Sequence, residues 1–284
     1  MKILVLGVTG MLGNALFRLL AQSKGIDVAG VARSADARNL FAAALRDRVH
    51  GGFDAHNPES IAELFAAHQP DVVINCVGIV KQLSAAAQVL EAVPINSLLP
   101  HRIARLCKVG KARLVHISTD CVFTGRSGMY READAPDATD LYGLSKLWGE
   151  VDGPNAITLR TSIIGPELRS GHGLLNWFLS QEGSVKGYQR AIFSGLPTVE
   201  LSRVIRDFVL PRPDMHGLYH VAASPISKLE LLKLFAAEYG RQVKIVPDAA
   251  LAIDRSLDGS RFREATGYVA PPWPLLVAEM REFG

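Results

Sequence analysis

Apolar positions along the chain fall into two periods. Short apolar runs at 3–6, 26–32, 49–53, 71–78, 114–117, 157–160 and 217–221, bounded by small or polar residues, read as strands, most of them covered on both faces. Between them the spacing turns helical. Ala15, Leu16, Leu19 and Leu20 share one face after residue 11, and Ile61, Leu64 and Phe65 share another behind an Asn57-Pro58-Glu59-Ser60 start. Leu98, Ile103, Leu106 and Cys107 continue the pattern after Pro94, and helical stretches are also expected at 39–45 and 80–92. Strand and helix in alternation predict a doubly wound α/β fold, a parallel sheet with right-handed crossovers and ligands at the carboxyl ends of its strands.

The alternation breaks at Gly165-Pro166. An apolar helix at 174–179 follows Gly171-His172-Gly173, and the stretch 183–187 reads as flexible. Leu196-Pro197-Thr198-Val199-Glu200-Leu201 returns toward the sheet, and 217–221 is read as the final strand. Ser227 then caps a helix with Glu230 at capping-box distance and Leu231, Leu234 and Phe235 inward. This predicts a main domain of residues 1–163 and 197–222 and a smaller, discontinuous substrate lobe of 164–196 and 223–284, with Trp177 and Trp273 in the lobe core.

The chemistry begins where the first strand meets the first helix, at Gly7-Val8-Thr9-Gly10-Met11-Leu12-Gly13. Gly7 suits a tight turn, Gly10 lets the backbone approach a pyrophosphate, and Gly13 allows close helix-strand packing. The helix start then offers free N–H groups and a positive dipole end to phosphate. At the end of the second strand, where a carboxylate would hold the ribose 2'-hydroxyl of NAD, the chain has Ala32-Arg33. An Arg accepts a 2'-phosphate, which favours NADP(H), with NAD(H) as the second option and a solvated loop charge as the plain reading of Arg33. Asp54 is either an adenine contact or a turn residue, and the small residues Cys76, Val77 and Gly78 leave room for the dinucleotide.

Composition narrows the partners. With 284 residues, 48% apolar and 21% charged, the chain reads as a globular protein with a full core. Its net charge of +3 is scattered, with no basic run interleaved with aromatics, so no nucleic-acid partner is expected. No membrane-length apolar run or signal-peptide core is present. The three cysteines, Cys76, Cys107 and Cys121, show no metal spacing or disulfide framework, so no metal and a cytoplasmic location are expected.

Two further segments supply reacting groups. Ser118-Thr119-Asp120 follows the fifth strand, and Tyr142-Gly143-Leu144-Ser145-Lys146 opens a helix on which residues 142 and 146 point the same way. A free phenol titrates near ~10, and a lysine beside Tyr142 is expected to lower that value into a working range for acid-base catalysis. Lys146 is also placed to hold a nicotinamide ribose, and Thr119, with Ser118 beside it, to hold the carbonyl oxygen that Tyr142 protonates. Arg255, Ser260, Arg261 and Arg263 form a basic, hydroxyl-bearing cluster that reads either as a diphosphate clamp or as a solvated loop.

In this order, the glycine turn, Ser118-Thr119-Asp120-Cys121-Val122-Phe123-Thr124-Gly125, the Tyr142–Lys146 segment with Gly149-Glu150, and Leu159-Arg160-Thr161-Ser162 resemble the extended short-chain dehydrogenase/reductases over nearly the whole chain. The pattern looks most like the dTDP-4-dehydrorhamnose reductases and related nucleotide-sugar reductases. Asn75-Cys76-Val77-Gly78-Ile79-Val80-Lys81-Gln82 departs from the alanine-rich stretch usual there. The resemblance implies a Rossmann-type sheet and Thr119, Tyr142 and Lys146 as the catalytic set. It adds Asn96, Ser118, Tyr142 and Lys146 to the cofactor contacts. Substrate contacts are expected at Lys81, Asp120, Val122, Phe123, Arg160, Trp177, Thr198, Arg255 and Arg261. It further implies reduction of the 4-keto group of a nucleotide-linked deoxysugar, in surface polysaccharide precursor synthesis, with pairing into a homodimer. The rivals are an epimerase or dehydratase that recycles a retained cofactor, with Asp120 as an acid, and a non-catalytic NADP-binding subunit like the regulatory subunit of methionine adenosyltransferase.

Overall fold

The computed structural model describes residues 1–81, 83–168, 171 and 173–284. Gln82, at the end of the divergent stretch, and His172, expected to be structural, lie outside the described residues. The strands are β1 (Lys2–Leu6), β2 (Asp27–Val31), β3 (Val49–His50), β4 (Val72–Asn75), β5 (Arg113–Thr119), β6 (Ala156–Thr161), β7 (Ile163–Ile164), β8 (Ser184–Phe193), β9 (Leu196–Pro197), β10 (Gly217–His220), β11 (Ile226–Ser227) and β12 (Lys244–Asp254). The helices are α1 (Met11–Ala21), α2 (Pro58–His68), α3 (Val89–Ala92), α4 (Leu99–Val109), α5 (Leu141–Trp148), α6 (Leu174–Leu179), α7 (Thr198–Val204), α8 (Lys228–Glu238), α9 (Ser260–Thr266) and α10 (Trp273–Phe283).

Seven strands form one parallel sheet in the order β10-β6-β5-β4-β1-β2-β3. The connection reverses direction between β1 and β4, so the ligand crevice lies outside the carboxyl ends of that pair. Helices cover both faces. α1 and α7 pack together on one side, over a core containing Val5, Leu16, Phe17, Val115 and Ile205. α2 and α4 cover the other, over Leu4, Ile61, Val73, Ile103 and Leu114. Double coverage explains why the strands read as apolar runs rather than alternating ones.

Local signals set several element ends. Asn57 accepts the Glu59 N–H at 2.9 Å with Pro58 in the first turn, and Gln69 ends α2 in a left-handed conformation. Ser227 accepts the Glu230 N–H at 3.1 Å, as its spacing predicts. Other expectations change. The 39–45 and 80–92 stretches are not single helices: the first is two short 3-10 turns, and the second a 3-10 turn followed by α3. A π-helical segment, Val93–Leu98, joins α3 to α4. The stretch 183–187, read as flexible, instead starts β8, and β10 is not the last strand, because β11 and β12 flank β8 in a second, three-stranded sheet. Trp273 is buried, whereas Trp177 on α6 is 37% exposed and not lobe core. Among the described residues no helix is long and apolar enough to cross a membrane.

Candidate functional site

The crevice is built from the turn after β1, the loop after β4, the end of β5 and the start of α5. Gly7 holds φ at +84°, a value that ordinary side chains resist. A Cβ on Gly13 would lie 2.2 Å from the Gly7 carbonyl oxygen, so only glycine lets α1 sit this tightly on the turn. Gly10 precedes α1 with no side-chain cap, leaving first-turn N–H groups of Met11, Leu12 and Gly13 available to an anion, with Thr9 beside them. This shape fits a dinucleotide pyrophosphate.

Across the switch point, Asn75 accepts the Val77 N–H at 3.1 Å and shapes the Cys76-Val77-Gly78 turn. The buried Asn96, in the π-helical segment, bonds both backbone groups of Ile79, at 2.9 and 3.1 Å, as a strand partner would. It also donates to Ser145 Oγ at 3.2 Å, joining that loop to α5. A Cβ at Gly78 would lie 3.4 Å from Asn96 Oδ1 and 3.8 Å from Lys146 Nζ, so these three residues converge on one small, open spot. It is a fitting place for a ribose.

Arg33 is exposed just past β2, and its side chain has no partner among the described residues. Asp54 is exposed and accepts the His56 N–H at 2.9 Å, which makes it a turn residue ahead of α2. Its other carboxylate oxygen is uncommitted.

At the reacting end, Asp140 caps α5 through Gly143 N–H at 3.0 Å, and Gly143 lies against the Cys121 carbonyl, drawing Tyr142 toward Thr119. Thr119 lies beside the Tyr142 phenol and acts to lower its pKa. The expected lowering of the phenol by Lys146 is not what the structure gives. Burial, followed by the neighbouring Cys121, raises the Tyr142 pKa, with Asp120 and Asp140 adding to the rise. The Lys146 Nζ donates to the Ile117 carbonyl at 2.8 Å. Burial draws the lysine itself down to about 8, against the opposing pull of Glu150 and Cys76.

Several expected substrate contacts are corrected by the structure. Arg160 is buried and forms a two-point pair with Glu150, at 2.6 and 2.7 Å, while Ser118 Oγ donates to the same carboxylate at 2.7 Å. Its guanidinium also lies 5.3 Å above the Phe123 ring and 3.4 Å from His220 Nε2. Burial, then Arg160, pulls His220 down to about 4, so its neutral ring accepts from Arg160 and donates to the Tyr130 carbonyl at 2.9 Å. Phe123 stacks on Tyr130 at 4.1 Å, and Phe123 and Val122 have no exposed surface. Arg160, Val122 and Phe123 therefore support the site from beneath. Thr198 is buried at the start of α7, with Gly165 packed against its side chain.

The basic cluster also divides. Arg255 Nε donates to the Phe123 carbonyl at 2.7 Å and its charge is felt by Asp120. Arg261 instead stacks 4.7 Å from the Tyr219 ring and lines a separate cavity of about 370 Å³ with Glu150, Asp152 and His216. Lys81 is paired with Asp140 at 2.8 Å, each side chain 43% exposed, tying the β4 loop to the start of α5. Asp120 lies beside Thr119, accepting its hydroxyl at 3.2 Å, and burial raises its carboxyl pKa. Lys228, in the first turn of α8, faces Asp120 and Cys121 and was missed. The clue was local: a cation immediately after a helix cap, where the dipole favours an acid.

A seven-stranded, doubly wound parallel sheet with a glycine turn at its switch point defines a Rossmann-type fold. The chain belongs to the family described as "RmlD substrate binding domain", whose pattern matches residues 1–280. It is 34% identical over 175 residues to methionine adenosyltransferase 2 subunit beta of Danio rerio, 59% of this chain and 49% of that one. This and another curated relative are matched over only about half of their length. The chain is 25% identical over 305 residues to the dTDP-4-dehydrorhamnose reductase of Salmonella typhimurium, covering 99% of this chain and 97% of the relative. The structure of the dTDP-4-dehydrorhamnose reductase of Bacillus anthracis in complex with NADP superposes with a TM-score of 0.81 at 22% identity, over 99% of this chain and 98% of that one.

Proposed function

We propose that the protein is an NADPH-dependent reductase of the 4-keto group of a nucleotide-linked deoxysugar, serving polysaccharide precursor synthesis. The observation that carries this reading is the placement of Thr119 beside the buried Tyr142 phenol, next to a glycine turn whose close approach leaves room for a pyrophosphate. The full-length match to a reductase named for such a substrate, and an NADP-bound structural neighbour, support it.

Gly7, Gly10 and the first turn of α1 would hold the pyrophosphate, Arg33 the 2'-phosphate, and Gly78, Asn96 and Lys146 the nicotinamide ribose. When bound, NADPH supplies the hydride. Thr119 and Tyr142 both bond the substrate carbonyl oxygen and polarise it. Tyr142 gives its phenolic proton to that oxygen as charge develops there, and its raised pKa keeps the proton in place until then. Lys146 fixes the ribose and carries charge near the phenol once the site is filled. Ser118, Glu150 and Arg160 hold the end of β5 so that Thr119 keeps its aim.

Two other readings have specific support. Asp120, raised by burial beside Thr119, suits the acid of a dehydratase. The similarity to a methionine adenosyltransferase subunit supports a partner role without turnover. NADPH oxidation at 340 nm against nucleotide-linked 4-keto sugars, with Tyr142→Phe alongside, separates them. The reductase shows stoichiometric oxidation that falls about 10²–10⁴-fold in the variant. Sugar conversion without net oxidation defines the dehydratase or epimerase, and cofactor binding with neither defines the subunit.

A further inference from the structure

Lys228 is placed where the ordinary rules of protein structure disfavour a cation. It is the first residue of α8, an 11-residue helix whose amino-terminal dipole end is positive. Its side chain is half-buried, and no hydrogen bond or ion pair reaches its ammonium among the described residues. Its one close contact is the face of the Phe193 ring, 4.1 Å from Nζ, a cation-π contact that offsets only part of the desolvation. Burial draws the lysine down to about 8, even though Asp120 and Cys121 favour its charged form.

The neighbours say what this position faces. Asp120 follows Thr119 directly and accepts its hydroxyl, so an ammonium whose charge acts on Asp120 lies near the reacting groups. Arg255 reaches the same corner from the end of β12, and only its Nε is spent, on the Phe123 carbonyl. The carboxyl of Asp120 is itself displaced toward its neutral form by burial. Lys228 and Arg255 therefore both act on Asp120, whose charge burial weakens, while Asp140, which Arg255 also reaches, is already paired with Lys81 at 2.8 Å. A half-buried corner in which Lys228 has no ion-pair partner among the described residues suits a negatively charged ligand.

We propose that Lys228, with Arg255, is a substrate-binding residue that takes an anionic group of the substrate beside Thr119 and Asp120. This rests on the reading of the site as one for a nucleotide-linked sugar. The anion is either the diphosphate of that substrate or a charged substituent on its sugar ring. Both offer the same oxygen-rich negative group to an ammonium and a guanidinium.

The test compares Lys228→Met and Lys228→Arg with the wild-type protein, after thermal melts have shown all three folded. Three quantities are measured: kcat and KM for the nucleotide-linked keto sugar, NADPH affinity by fluorescence, and the affinities of dTDP and UDP by calorimetry. Lys228→Met is expected to raise KM about 10–100-fold with kcat within about threefold and NADPH affinity unchanged, while Lys228→Arg recovers most of the loss. Weakened dTDP or UDP binding in Lys228→Met assigns the anion to the diphosphate. Unchanged diphosphate binding with raised KM assigns it to the sugar ring. An unchanged KM, or NADPH affinity falling in proportion to it, overturns the proposal. If no keto sugar is turned over, the reductase reading fails by itself. The calorimetry still decides the lysine: weaker dTDP or UDP binding in Lys228→Met upholds the proposal, and unchanged binding overturns it.

Discussion

The proposed cofactor side and the proposed substrate side of this crevice are assembled in opposite ways. On the cofactor side, Gly7, Gly10 and Gly13 lie within one strand-turn-helix unit, and each acts on a neighbour a few residues away. The Gly13 position meets the Gly7 carbonyl, and the start of α1 is left without a side-chain cap. On the substrate side, Thr119, Asp120, Lys228 and Arg255 come from the ends of β5 and β12 and the start of α8, and only the closed fold brings them together. A site made locally is governed by backbone space. A site made from distant segments is governed by buried charge and by the network that holds its floor.

The sharpest way to test that difference is to break the floor. Removing Arg160 leaves the Glu150 carboxylate, 13% exposed, without its two-point partner. Arg160→Met is expected to cost about 3–5 kcal/mol in urea unfolding, the range for an orphaned buried charge. Adding Glu150→Gln should restore much of it, since the remaining groups are then neutral. A loss below about 1 kcal/mol together with a raised KM would instead return Arg160 to the substrate contacts.

The cofactor side should break differently. Gly13→Ala drives a methyl group into the Gly7 carbonyl, which is backbone and cannot swing away. About 1–3 kcal/mol of stability should be lost as α1 shifts, and NADPH binding should fall with it. Unchanged melting with NADPH binding intact would mean that the turn is looser than a 2.2 Å approach allows.

The same contrast explains what the sequence made legible. The sheet and the glycine turn follow from periodicity and short spacing, whereas the Thr119, Tyr142, Lys146 set is what the family resemblance implies. Arg160, Val122 and Phe123 misled because residue type near a motif does not reveal which side of a strand end faces the crevice. Arg160 points beneath it, to Glu150 and His220. Arg255 and Arg261 looked like one cluster, but the turn into α9 sends the first to Phe123 and the second to Tyr219. The segment 183–187 looked flexible because its glycines and its charge hid a strand that needs β12, some sixty residues later, as its partner. Lys228 was unreadable as a ligand until β5, β8 and α8 were in place.

Each side also contains one lysine drawn down to about 8, the buried Lys146 and the half-buried Lys228, which gives a finer comparison. For Lys146, burial is the largest cause; Glu150 and Cys76 oppose it, and the Ile117 carbonyl is its hydrogen-bond partner. Its unfolded value is 10.5, so below about pH 8 both states carry the proton and the folded state bears the full burial penalty. Between about 8 and 10.5 the folded protein releases the proton while the unfolded chain keeps it, so this lysine makes stability rise with pH. Cys76, Cys107 and Cys121, raised to about 12 by burial, act in the opposite sense above about 9, so the wild-type curve alone mixes the two. The difference between wild type and Lys146→Met removes the contributions of Cys107 and Cys121, while Cys76, which Lys146 itself lowers, stays in the difference. That difference should move in favour of wild type by on the order of 1–3 kcal/mol from pH 7 to 10. Lys228→Met should give a difference of the same sign. Saturating NADPH should alter the Lys146 profile and leave that of Lys228 in place, because only the first lysine faces the ribose position. If NADPH shifts both profiles alike, Lys228 belongs to the cofactor side and the division drawn between the two halves of the crevice fails.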